Sequence, residues 1–69
     1  MYPALSPREH DILEHIARGE SNGEIAGRLG LSEKTVRTNV SAILAKLHVR
    51  DRSEAIVQAR EAGMGHRPA

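Results

Sequence analysis

Sixty-nine residues with ten Lys and Arg against nine Asp and Glu, and with no Cys, Trp or Phe, exclude a disulfide framework, a thiolate zinc site and an aromatic core. A chain this short is one domain that buries only about 60% of its unfolded surface, so aliphatic helix packing must hold it. No apolar run approaches the roughly 20 residues of a membrane span, and "MYPALSPRE" lacks the regions of an export signal, so the sequence reads as soluble and cytoplasmic.

The first helix start is "SPRE", Ser6 to Glu9, and the same kind of signal recurs as "SNGE" at Ser21, "SEKT" at Ser32 and "DRSE" at Asp51. In three of the four a glutamate stands three residues after the cap. That spacing makes a capping box, in which the cap side chain accepts from the third backbone N–H and the glutamate reaches back to the cap's own N–H. Pro7 suits the first helical position because no donor is needed there. Gly19, Gly30 and Gly63 each follow an apolar helical run and can adopt the left-handed conformation that ends a helix.

These signals predict helices over about residues 7–18, 22–29, 33–47 and 52–62, an all-α, four-helix domain. The apolar faces are Ile12, Leu13, Ile16 and Ala17 in the first helix, then Ile25, Ala26 and Leu29 in the second. Val36, Val40, Ile43, Leu44 and Leu47 form that of the third, and Ala55, Ile56 and Ala59 that of the fourth. A short second helix, the turn "GLS" and a longer third helix make a helix-turn-helix, in which the third helix is the one that enters a DNA major groove.

Charge position supports that reading better than net charge does. The total is only +1, yet residues 32–50 hold Lys34, Arg37, Lys46 and Arg50 against Glu33 alone. On the third helix Lys34, Arg37, Thr38, Ser41 and Ala45 share the face opposite the core. Arg37 can donate two hydrogen bonds to guanine, Thr38 offers a methyl or a hydroxyl, and Ser41 permits close approach. Lys34 and Thr35 sit at the helix start, where the dipole favours a phosphate, while Lys46, Arg50 and His48 would lie along the flanking backbone.

Catalysis and metal binding find no support. His10 and His15 are five apart and share no helical face, His48 and His66 stand alone, and neither a nucleophile elbow nor a phosphate loop occurs. The expected activity is therefore binding, with no enzyme function, cofactor or metal.

The stretch from Leu5 to about Met64 resembles the LuxR-type (NarL- or GerE-type) helix-turn-helix domain of bacterial transcription regulators. The resemblance rests on Pro-Arg-Glu, Gly-x-Ser-Asn-x-Glu-Ile-Ala, Leu-Ser-x-x-Thr-Val, Lys-Leu and Arg-x-Glu-Ala, all in register. It implies that the third helix reads the major groove through Arg37, Thr38 and Ser41, and that Asn22, Lys34, Thr35, Asn39 and Lys46 meet phosphates. It also implies that the fourth helix dimerises on inverted half-sites. Gly23 departs from the basic or polar residue usual there, and Thr38 and Ser41 are shorter than in some relatives, which leaves Arg37 as the one long reader. A promoter-recognising region of a sigma factor is a rival, against which the fourth helix speaks. A protein-interaction module with a merely solvated third helix is another.

The resemblance further implies the effector domain of a response regulator in a two-component system, with double-stranded DNA, a second copy of the chain and RNA polymerase as partners. "MYPA" reads as a linker remnant, so residues 1–5 are assigned to a linker, 6–64 to the domain and 65–69 to a tail, and an upstream regulatory domain is expected to be missing. On the fourth helix Val57, Glu61 and Met64 form a stripe that the core does not need, and these residues are expected at the dimer interface.

Overall fold

Four serine or aspartate caps start four helices in the computed structural model, which describes residues 2–65. They are α1 (Pro7–Ala17), α2 (Asn22–Leu29), α3 (Glu33–Leu47) and α4 (Arg52–Glu61). The described residues contain no strand.

The caps divide into three kinds. Ser6 and Ser21 form complete capping boxes: each hydroxyl accepts from the glutamate N–H, at 3.1 and 3.2 Å, and each glutamate accepts from the serine N–H, at 2.8 and 2.9 Å. Ser32 accepts from the Thr35 N–H at 3.1 Å and donates its hydroxyl proton to Thr35 Oγ1 at 2.9 Å. Asp51 accepts from the Glu54 N–H at 3.0 Å, but Glu54 reaches one residue further back, to the Arg50 N–H at 3.3 Å.

All four helices close by one device. A left-handed residue follows the last turn, and the next N–H donates to the carbonyl five residues earlier: Glu20 to His15, Leu31 to Ala26, Val49 to Leu44 and Met64 to Ala59. The left-handed residues are Gly19, Gly30, His48 and Gly63. His48, at φ 58°, ends α3 without a glycine, so this stop carries no glycine signal in the sequence. α1 and α4 each end one residue earlier than the periodicity predicts, because the N–H groups of Arg18 and Ala62 are shared between carbonyls three and four residues back in a tightened last turn.

The predicted apolar faces meet in one core. Ile12, Leu13, Ile16, Ala17, Ile25, Val36, Ile43, Ala55 and Ala59 are fully buried, Ala26, Val40 and Leu47 nearly so, and Leu29, Leu44 and Ile56 are partly buried against them. α1 packs against the other three helices, and α2 packs on α3. With only alanines buried, α4 lies close enough to α1 for Arg60 Nε to donate to the Ala17 carbonyl at 2.7 Å, satisfying an orphan acceptor at the end of α1.

Both chain ends join this core. Leu5 is buried, Tyr2 packs beside it, and the Leu5 N–H donates to the Tyr2 carbonyl, so the segment read as linker contributes to the domain. Met64 is also buried, which corrects its expected place on an exposed stripe with Val57: α4 stops at Glu61, and the Gly63 turn folds Met64 back onto the core. Gly65 donates to Glu14 Oε2 at 2.7 Å, and a Cβ there would meet Ala17 at 2.7 Å. The rest of the assigned tail, with His66, lies outside the described residues.

Ser32→Ala deletes the one side-chain acceptor that starts α3 and is expected to cost about 1 kcal/mol of stability. Chemical denaturation measures it, and an unchanged midpoint would mean that another group starts the helix.

Candidate nucleic-acid interface

α2, the turn at Gly30 to Ser32 and α3 form the helix-turn-helix, with Val36, Val40, Ile43 and Leu47 turned inward. Lys34, Thr35, Arg37, Thr38, Ser41 and Ala45 are all exposed, so the face predicted to read DNA is continuous and open. Thr38 donates its hydroxyl proton to the Lys34 carbonyl at 3.0 Å, which leaves its methyl and oxygen lone pairs for a ligand. Asn39 is half-buried and commits one amide hydrogen to the Thr35 carbonyl at 2.8 Å.

The cations fall into two groups. Arg18 pairs with Glu14, Arg28 with Glu20, Lys46 with Glu9 and Arg50 with Glu54, while Arg52 and Arg60 donate to oxygens of Asn22, Glu20 and Ala17. Among the described residues only Arg8, Lys34 and Arg37 have no such partner. Two of those three stand on the outward face of α3.

The remaining predicted phosphate contacts are less free. Lys46 Nζ lies 2.7 Å from Glu9 Oε1, a carboxylate only 8% exposed, and would have to share its ammonium with a phosphate. Hydrogen bonds from Lys46 and from the Ser6 N–H hold the Glu9 carboxyl below its usual range in spite of burial. Arg50 is almost fully exposed, and its 3.3 Å pair with Glu54 is of the kind that contributes little. Asn22 accepts a hydrogen bond from Arg52 through Oδ1.

Two residues that sequence reasoning missed build the junction beneath this surface. Glu20 is buried, with His15 Nδ1 3.1 Å from both carboxylate oxygens and Arg28 Nε 2.9 Å from one of them. Burial alone would push this carboxyl up. The hydrogen bond from His15 and the electrostatic attraction of His15, Arg28 and Arg18 outweigh it and leave the carboxyl below its usual range. Arg52 spans the junction, donating from Nη1 to Asn22 Oδ1 and from Nη2 to the Glu20 carbonyl at 2.5 Å. Burial lowers its pKa; an arginine stays protonated regardless. The one available sequence signal is that Arg52 opens a helix, the end at which a cation is disfavoured.

On α4, Val57 is the large hydrophobic residue left exposed among the described residues, at 57%. It lines an open groove of about 400 Å³ with Val49, Ser53, Glu54, Gln58 and Glu61. Of the residues expected at a dimer interface, Val57 and Glu61 thus line one groove, and Met64 is buried in the core. No group of three or more His, Asp or Glu in the described residues could hold a metal ion, and no helix among them is long and apolar enough to cross a membrane.

The helix order defines a helix-turn-helix domain, and its third helix presents an open cationic face. The sequence model described as "Bacterial regulatory proteins, luxR family" matches residues 3–59, and the chain belongs to that family. It is 57% identical over 54 residues to an uncharacterized transcriptional regulatory protein, YhcZ, of Bacillus subtilis, covering 78% of this chain and 25% of that protein. It is 49% identical over 59 residues to the response regulator protein VraR of Staphylococcus aureus and of Staphylococcus epidermidis, covering 86% of this chain and 28% of theirs. The chain therefore spans about a quarter of the length of these curated relatives.

The two lowered carboxyls fix the sign of the acid response. Glu9 and Glu20 bind protons less readily in the folded chain than in the unfolded one, so their contribution is fully present above the ordinary value near 4.5 and is lost as pH falls through the lower folded values. Denaturation midpoints between neutral pH and pH of about 3 should fall steeply for the native chain and less steeply for Glu20→Gln. Equal slopes would show that Glu20 does not link folding to protons.

Proposed function

We propose that the chain binds double-stranded DNA as the effector domain of a transcription regulator, with α3 in the major groove. Arg37, Thr38 and Ser41 meet base edges, and Asn22, Lys34, Thr35, Asn39, Lys46 and Arg50 line the phosphate track, with Lys46 and Arg50 sharing their charge with glutamates. The observation that carries the reading is the pair of unpartnered cations, Lys34 and Arg37, on an exposed face, where nearly every other cation among the described residues has a partner. Family membership supports it. The length of the relatives and the name of VraR as a response regulator support an upstream regulatory domain that controls this one in the cytoplasm. Selection of bound fragments from a random DNA pool tests the reading and reports sequence, symmetry and spacing together. A protein-interaction face would enrich no sequence and would lack the salt dependence of counterion release.

The exposed Val57 beside Glu61 supports a second proposal, dimerisation of α4 across a two-fold axis on inverted half-sites about one helical turn apart. Val57→Glu would set like charges against each other at that axis. It is expected to abolish cooperative binding to a palindrome and to leave binding to one half-site nearly intact, as read by gel shift. Undiminished cooperativity would move the dimer surface elsewhere.

Base and phosphate roles separate on a panel of operator variants. Arg37→Ala should lose about 1 to 3 kcal/mol at one position and relax specificity there, whereas Lys34→Ala should weaken all sequences alike and lower the salt slope by about one unit. Equal losses across the panel by both variants would refute the division.

A further inference from the structure

Arg52 occupies the first position of α4, where the positive end of the helix dipole makes a cation unfavourable. Its guanidinium leaves that site and bridges two elements, Nη1 to Asn22 Oδ1 and Nη2 to the Glu20 carbonyl. A side-chain amide has a donor end and an acceptor end of nearly equal shape, and alone it can present either one. A guanidinium carries donors only. Facing Arg52, the Asn22 amide must therefore turn Oδ1 toward it and Nδ2 away. Nδ2 has no partner among the described residues, and it is not enclosed, since Arg18 Nε is the one buried side-chain polar atom among them without a hydrogen-bond partner. Asn22 itself begins α2, on the helix end that attracts anions.

We propose that Arg52 is a positioning residue for DNA binding: by taking Oδ1 of Asn22 it fixes the Asn22 amide as a hydrogen-bond donor aimed at a phosphate. The inference rests on the reading of Asn22 as a phosphate contact. Without Arg52 the amide would be free to turn its oxygen outward, where it repels the phosphate. The contact thus depends on a residue thirty positions away on the helix proposed to dimerise.

The test uses the 69-residue chain and a mixed-sequence duplex about two helical turns long, because phosphate contacts carry no sequence information. Affinity is measured by fluorescence anisotropy over a range of salt concentrations. Asn22→Ala is expected to bind about tenfold more weakly, as for loss of a hydrogen bond to a charged group. Its salt slope should not change, because the lost donor is neutral. Arg52→Met should lose affinity to a similar extent, also at constant slope, and the double variant should lose no more than either single one. Asn22→Asp keeps an acceptor for Arg52 and should melt no lower than the native chain, yet lose at least as much affinity as Asn22→Ala. This variant decides the matter even if Arg52→Met fails to fold. A salt slope lowered by about 0.9 in Arg52→Met would make Arg52 itself the phosphate contact and overturn the proposal. Additive losses in the double variant, or full affinity in Asn22→Asp, would also overturn it. Failure of the native chain to bind the duplex at all would overturn the DNA-binding reading and this inference with it. Binding by the native chain with unlinked variants overturns this inference alone.

Discussion

A carboxylate buried between helices must be met by donors from its surroundings, and Glu20, through side chain and backbone together, is met by donors from three of the four helices. Its side chain takes His15 from α1 and Arg28 from α2, and its backbone carbonyl takes Arg52 from α4. Leaving such a buried carboxylate without a donor is costly, whereas an exposed pair such as Arg50 with Glu54 contributes about 0 to 1 kcal/mol. Aliphatic burial is non-directional and tolerates small rotations of one helix on another. The Glu20 junction is directional, so it fixes the angle at which α2 leaves α1 and the place where α4 begins. The position of α3, which is packed on α2, follows from that angle.

The same junction explains how a chain of net charge +1 can present a basic surface. Glu9 and Glu20 hold Lys46 and Arg28 against the body of the domain, and Glu14 and Glu54 take up Arg18 and Arg50. What is left unneutralised on α3 is Lys34 at its first turn and Arg37 one turn on. Acids are thus assigned to structural cations, and the recognition face keeps its charge because Glu33 is the one acid among its residues. Net charge measures the sum of these two populations and so conceals both.

How far the sequence reveals this depends on the range of the interaction. Capping boxes at Ser6 and Ser21 and the left-handed glycines are encoded within three to six neighbouring residues, and all of them lie where the periodicity places them. The open face of α3 is likewise a matter of 100° per residue. His48 escaped because a histidine in the left-handed region carries no local signature, and Met64 because helical spacing was carried past the point where Gly63 reverses the chain. The links of Glu20 and Arg52 join residues up to 32 positions apart, and no periodicity within one helix contains them. Among the candidate contacts, the exposure of those on α3 follows from periodicity, whereas the engagement of Asn22 and Lys46 by distant partners does not.

Small buried residues set a limit on what α4 can do alone. Ala55 and Ala59 let it settle onto α1, and Met64 closes the core behind it, so its outward surface is a narrow strip of Val57 with short or polar neighbours. A standard interface buries about 800 Å² on each partner, which would be nearly a fifth of the 4323 Å² that this chain exposes. One groove with a single exposed valine falls well short of that. In the proposed dimer, then, the strip supplies register and the two-fold axis, while affinity comes from simultaneous engagement of two half-sites at high effective concentration. In that arrangement the DNA spacing would select the dimer as much as the dimer would select the spacing. An upstream domain that paired two chains would raise operator occupancy without altering any residue of α3.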